Sequence, residues 1–137
     1  MWDSETFRLL IPALVVVVGW IVGHKFNVER DRVSKRHDLR IKYLIDAYRR
    51  LESAALRPEQ DFEHKLNFES AIADIQLLGD QSQIKELFSF LEAYKKNDGS
   101  ALIDPLLEAL RNELRTELGL NDAPHKIIVF RFTPSGK

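Results

Sequence analysis

The residues able to do chemistry are few. The 137-residue chain holds four histidines (His24, His37, His64 and His125), no cysteine and six glycines. Without a thiol there is no disulfide scaffold, thiolate zinc site or cysteine nucleophile. Two Asp-x-x-His pairs stand out, Asp61 with His64 and Asp122 with His125. On a helix that spacing puts a carboxylate and an imidazole on one face, but a helical-bundle metal site also needs carboxylates projecting inward from facing helices. Both histidines lie among polar neighbours, and Pro124 puts the second pair in a loop. No Gly-rich phosphate loop, HExxH motif or nucleophile elbow occurs. We therefore expect no enzymatic activity, no metal, no other cofactor and no small-molecule substrate.

Charge is the next chemical resource, and its formal total of -1 hides a segregation. Residues 1–23 carry a net -1, residues 24–57 a net +5 and residues 58–137 a net -5. Lys25 to Arg50 holds nine Lys or Arg against four acids. Nucleic acid is not expected there: Glu29, Asp31, Asp38 and Asp46 can pair locally at i,i+4, and no recognition motif accompanies the charge. Attraction to an anionic lipid leaflet needs no special geometry, so Lys25, Arg30, Arg32, Lys35 and Arg36 are read as lipid-headgroup contacts.

These charges follow an apolar run. Leu9 to Gly23 is fifteen residues without a charge, and the apolar Phe7 and Phe26 extend it to twenty. Twenty helical residues span about 30 Å, the thickness of a bilayer core. The segment 7–26 is expected to be a transmembrane helix, with Asp3 or Ser4 able to cap its start and Pro12 tolerated inside it. A cleaved signal peptide fits poorly, because Asp3 and Glu5 precede the run and bulky Ile21, Val22, His24 and Lys25 follow it. The cations crowd its carboxyl side against Arg8 alone on the other. By the positive-inside rule, residues 1–6 lie outside and the remainder in the cytoplasm. Gly19 and Gly23 make a GxxxG pair, read as a self-association face within the membrane.

Beyond the span, residues 27–57 contain no Gly or Pro and read as one long helix, a basic stalk leading into the first bundle helix. Ile41, Leu44, Tyr48, Leu51 and Ala55 recur at spacings of 3, 4, 3 and 4, an apolar seam. It suits packing on the following helices or, less well, a homodimer. Residues 58–120 are expected to form an acidic helical bundle. Its second helix presents Phe62, Leu66, Ile72, Ile75 and Leu78 and closes at Gly79. Its third starts at Asp80 with Gln83 in a capping box, presents Ile84, Leu87, Phe88, Leu91 and Tyr94, and stops at Asn97-Asp98-Gly99. The fourth takes Asp104 as N-cap and Pro105 as N1, presents Leu106, Leu107, Leu110, Leu114 and Leu118, and ends at Gly119.

Residues 121–137 differ in kind. Lys126 to Thr133 is rich in β-branched and aromatic residues between Pro124 and Pro134, and reads as one strand. A strand without a partner leaves an open backbone edge, so it either packs as an extended tail on the bundle, pairs with a copy of itself or joins a partner's sheet. The fold expected is thus all-α: a single transmembrane helix, a long juxtamembrane helix and a small antiparallel bundle, with one short β-strand-like tail. The layout resembles that of small bacterial single-pass membrane proteins with an amino-terminal anchor in the inner membrane. The function expected is a non-enzymatic, membrane-tethered protein-interaction module, binding a protein partner through Ile41, Leu44 and Tyr48 and through Ile128, Phe130 and Phe132. Alternatives are an immunity or stress-protection protein whose acidic domain neutralises a toxin, or a small subunit of a larger membrane complex.

Overall fold

The computed structural model describes residues 3–57 and 61–132. Among them are four helices and no strand: α1 Ser4–Ala54, α2 Phe62–Leu78, α3 Gln81–Lys96 and α4 Asp104–Glu117. The chain divides into two units, residues 1–39 and residues 40–137.

The first unit is helical from Ser4 onward, and every described residue in it is exposed. Asp3 holds the first turn through its carbonyl, which accepts from the Thr6 backbone N–H at 3.0 Å and from the Thr6 hydroxyl at 2.6 Å. Pro12 lies inside the helix, where its missing N–H leaves the Arg8 carbonyl without an i+4 donor. The helix is long and apolar enough near its amino terminus to cross a membrane.

The second unit is a helical bundle with one core. Leu44, Leu51, Ile75, Leu87, Leu106, Leu107 and Leu110 are fully buried, alongside Tyr43, Ala47 and Ala71. Each such leucine stabilises the fold by about 1.5–3 kcal/mol relative to exposure. The 3–4 spacing of the seam holds: Leu44, Leu51 and Ala55 are buried and Tyr48 packs against them. The helix stops at Ala54, short of the expected Arg57. The Ala55 N–H still bonds back to Leu51 and Glu52, and Leu56 then turns the chain with φ 54°.

Helix α2 departs from expectation. Its buried side is Ala71 and Ile75, with Phe68 and Ile72 partly covered, while Phe62, Leu66 and Leu78 of the expected face are exposed. The helix has apolar residues on two opposite sides. At 100° per residue, Phe62, Leu66, Ala73 and Leu77 form a second stripe across from Ala71 and Ile75. Sequence periodicity alone merges the two.

The turn into α3 is a single Gly79-Asp80 step. Gly79 is extended, with φ -67° and ψ 152°, so left-handed freedom is not its role. A Cβ there would stand 2.4 Å from the Ile75 carbonyl oxygen, and glycine alone permits that approach. Asp80 accepts from the Gln83 N–H at 2.8 Å and Gln83 Oε1 accepts from the Asp80 N–H at 3.4 Å, the expected capping box. On α3, Phe90 is buried, whereas Phe88 and Tyr94 are exposed.

Helix α4 begins at Asp104 with Ile103 as its N-cap, one residue before the expected cap. Ile103 is buried, and its carbonyl takes both the Leu106 and Leu107 N–H at 3.1 Å. At the far end Gly119, with φ 67°, donates to the Thr116 carbonyl and Leu120 to the Arg115 carbonyl, a Schellman turn. Leu118, expected in the core face, sits at this cap and is half exposed.

The strand expected over 126–133 is not formed: residues 120–132 carry neither helix nor strand, and Thr133 lies outside the described residues. An extended backbone becomes a ladder only against another strand, and the described residues supply none. Ile127 and Val129 instead pack on the bundle core.

Candidate functional site

The amino-terminal surface is the exposed helix of the first unit. Gly19 and Gly23 meet nothing within 4 Å, and Trp20 stacks on His24 with centroids 5.6 Å apart. Lys25, Arg30, Arg32, Lys35 and Arg36 are all exposed.

The seam residues are placed differently. Leu44 is fully buried in the core, and Ile41 and Tyr48 are partly covered, with Tyr48 packed on the cluster. Burial pushes the Tyr48 phenol above its ordinary pKa, aided by the nearby Glu52 carboxylate. Leu44 offers no surface to a partner in this fold.

One turn earlier α1 brings two polar groups into the bundle. Arg40 donates to Glu113 Oε1 at 2.5 Å and to Glu117 Oε1 at 2.7 Å, and lies 3.6 Å from Asp80. The bond to Glu113 is the chief cause of its raised pKa. The Tyr43 hydroxyl donates to Gln83 Oε1 at 2.8 Å, and desolvation, then the Asp80 charge, holds the phenol in its protonated form. Gln83 is buried, and its Nε2 has no hydrogen-bond partner among the described residues. In the sequence Gln83 is legible only as a capping residue. Its contact with Tyr43 spans forty residues and leaves no local signal.

The two Asp-x-x-His pairs have local explanations. Asp61 is the N-cap of α2, accepting from the His64 N–H at 2.8 Å, with His64 Nδ1 at 2.5 Å. Asp122 and His125 are exposed in the irregular stretch after α4. Among the described residues no group of three His, Cys, Asp or Glu side chains is placed to hold a metal ion.

A half-open cavity of about 580 Å³ lies at one end of the bundle. Phe68, Phe90 and Tyr94 form its aromatic wall, with centroid spacings of 5.8 and 5.9 Å, and Arg57 and Lys65 add two cations.

The tail is tied to the bundle by three arginines, one on the tail itself and two on α4. Arg131 clasps α1, its Nη1 donating to Glu52 Oε1 at 3.0 Å and its Nη2 to the Glu52 carbonyl. Arg111 on α4 donates to the His125 carbonyl at 2.8 Å, and Arg115 to the Asn121 carbonyl at 2.7 Å. Side chains then alternate: Ile127, Val129 and Arg131 turn toward the bundle, and Ile128, Phe130 and Phe132 turn outward, 85, 69 and 88% exposed. Phe130 and Phe132 meet edge to face at 5.0 Å. Comparison with protein-family models, with curated proteins and with solved structures found no match.

Proposed function

We propose that the chain is a non-enzymatic, single-pass inner-membrane protein whose cytoplasmic helical domain is a protein-interaction module. The span tethers the domain, and tethering raises its effective concentration for anything else at that membrane. The excess of Lys and Arg after the span sets the amino terminus outside. Lys25, Arg30, Arg32, Lys35 and Arg36 hold the stalk to anionic headgroups, and Gly19 and Gly23 give the span a face for a second copy.

The observation that carries the interaction role is the outer stripe of α2, where Phe62 and Leu77 are 76 and 78% exposed and Leu66 lies between them. A second apolar stripe on a helix already packed by its first is the complement of an amphipathic helix from a partner. Photo-crosslinking groups placed at Leu66 and Leu77 in native membranes should capture one discrete protein, and Leu66→Asp with Leu77→Asp should abolish capture while the domain stays folded. A monomer with no adduct at either site would overturn the reading.

A further inference from the structure

The outer row of the tail faces solvent, and its surroundings identify what covers it. Residues 123–137 contain Lys126, Arg131 and Lys137 and no acid, whereas residues 58–122 are strongly acidic. The stretch that displays Ile128, Phe130 and Phe132 is thus free of acids, with Lys126 exposed beside the row and Arg131 paired with Glu52 beneath it. Aromatic and branched side chains beside a lysine, with the backbone still wet, are what an anionic lipid interface accommodates. A bilayer is also at hand, because the same chain carries a helix able to cross one.

A second copy is a poorer occupant. Paired edge to edge at about 4.8 Å, two docked tails would put both bundles on the same side of the ribbon, closer than the 8–10 Å that packed helices need. Paired face to face, two basic segments would oppose each other, and three side chains a side fall short of a stable interface.

We infer that the carboxyl-terminal tail is a second membrane contact: Ile128, Phe130 and Phe132 enter the interface of an anionic bilayer, with Lys126 at the headgroups. Docking of the tail through Arg131 and Glu52 keeps the row outward and so prepares the surface before lipid is met. The inference is separate from the protein partner of α2 and uses only the presence of a bilayer.

Because the chain has no cysteine, Phe132→Cys and Leu77→Cys can each be spin-labelled singly in the full-length protein. In nanodiscs containing phosphatidylglycerol, the label at 132 should become accessible to oxygen and lose most of its accessibility to a water-soluble nickel chelate. Discs of phosphatidylcholine alone should reverse most of that change, as should Lys126→Glu, while the label at 77 stays aqueous throughout. A label at 132 that remains equally exposed to the chelate in both lipids would overturn the inference. So would dipolar broadening between copies at 132, which would assign the row to a second chain. Extraction of the protein from membranes by carbonate would count against the anchor alone; immersion of the label at 132 would still support the tail contact.

Discussion

Helix α1 contains two stretches with the same backbone and opposite surroundings. Residues 4–39 include no buried side chain, whereas Arg40 to Ala54 contributes Tyr43, Leu44, Ala47, Leu51 and Ala54 to the core. Hydrophobicity does not separate them, because Leu9 to Gly23 is the more apolar. Spacing does. An apolar residue on every side calls for an apolar medium all round, while residues three and four apart call for one packed neighbour. The sharpest break of this comparison uses one substitution twice. Leu44→Ala should destabilise the domain by about 2–5 kcal/mol, and Leu14→Ala should leave it unchanged. Urea unfolding of the full-length protein in nanodiscs, read by hydrogen exchange in α4, would show it; equal shifts for both variants would erase the distinction.

The glycines extend the contrast. Gly79 is pressed against the Ile75 carbonyl and lies 3.2 Å, measured from an added Cβ, from the Tyr43 hydroxyl, while Gly19 and Gly23 have open space. Gly79→Ala should force the α2–α3 turn apart at a cost of about 1–3 kcal/mol. For a domain of this size that lowers Tm by roughly 4–8 °C per kcal/mol. Gly19→Ala should not move the domain's Tm, since its effect falls on association within the membrane. A calorimetric scan in which Gly79→Ala melts like the unchanged protein would show that the turn relaxes freely.

How far the sequence reveals this architecture depends on the range of the contact. The seam of α1, the capping box at Asp80 and the stop at Gly119 are set by neighbours within about a turn, and they are legible. Helix α2 is not, because its two apolar stripes give one blurred pattern and only tertiary packing decides which is buried. Phe88 and Phe90 present the same difficulty on α3. The tail shows a different limit: β-branched residues mark an extended backbone, but a strand requires a neighbour that composition cannot report. Ile127 and Val129 are as apolar as Ile128, Phe130 and Phe132, so only their packing on the core decides that the second row is the exposed one.

Charges at the boundary of the two stretches should matter less. Arg40 reaches Glu113, Glu117 and Asp80, but about a third of its side chain is in water. Solvent screening limits such a cluster, so Arg40→Ala should cost about 1 kcal/mol or less, with the difference shrinking at high salt. Arg36→Ala, one turn earlier on an exposed stretch, should leave the domain's stability where it was. Parallel denaturation curves at low and high salt would test both, and a salt-independent loss at Arg40 would point to packing of its stem instead.

The smallest effect concerns Asp61, the N-cap of α2. The His64 backbone N–H, followed by the His64 side chain, holds the Asp61 carboxyl below its ordinary pKa. A carboxylate depressed in the folded state contributes above its unfolded pKa, about 3.9, and that contribution disappears as pH falls through the folded value. The first turn of α2 should therefore be intact at neutral pH and fray in acid, where the protonated carboxyl is a weaker acceptor for the His64 N–H. Asp61→Asn keeps an acceptor at the cap but cannot titrate. Exchange of the His64 amide, corrected for its intrinsic rate, should lose protection as the unchanged protein is taken below about pH 4. In Asp61→Asn the protection should be flat over the same range. Equal acid sensitivity in the two proteins would mean that fraying begins elsewhere in the bundle and that the cap follows it.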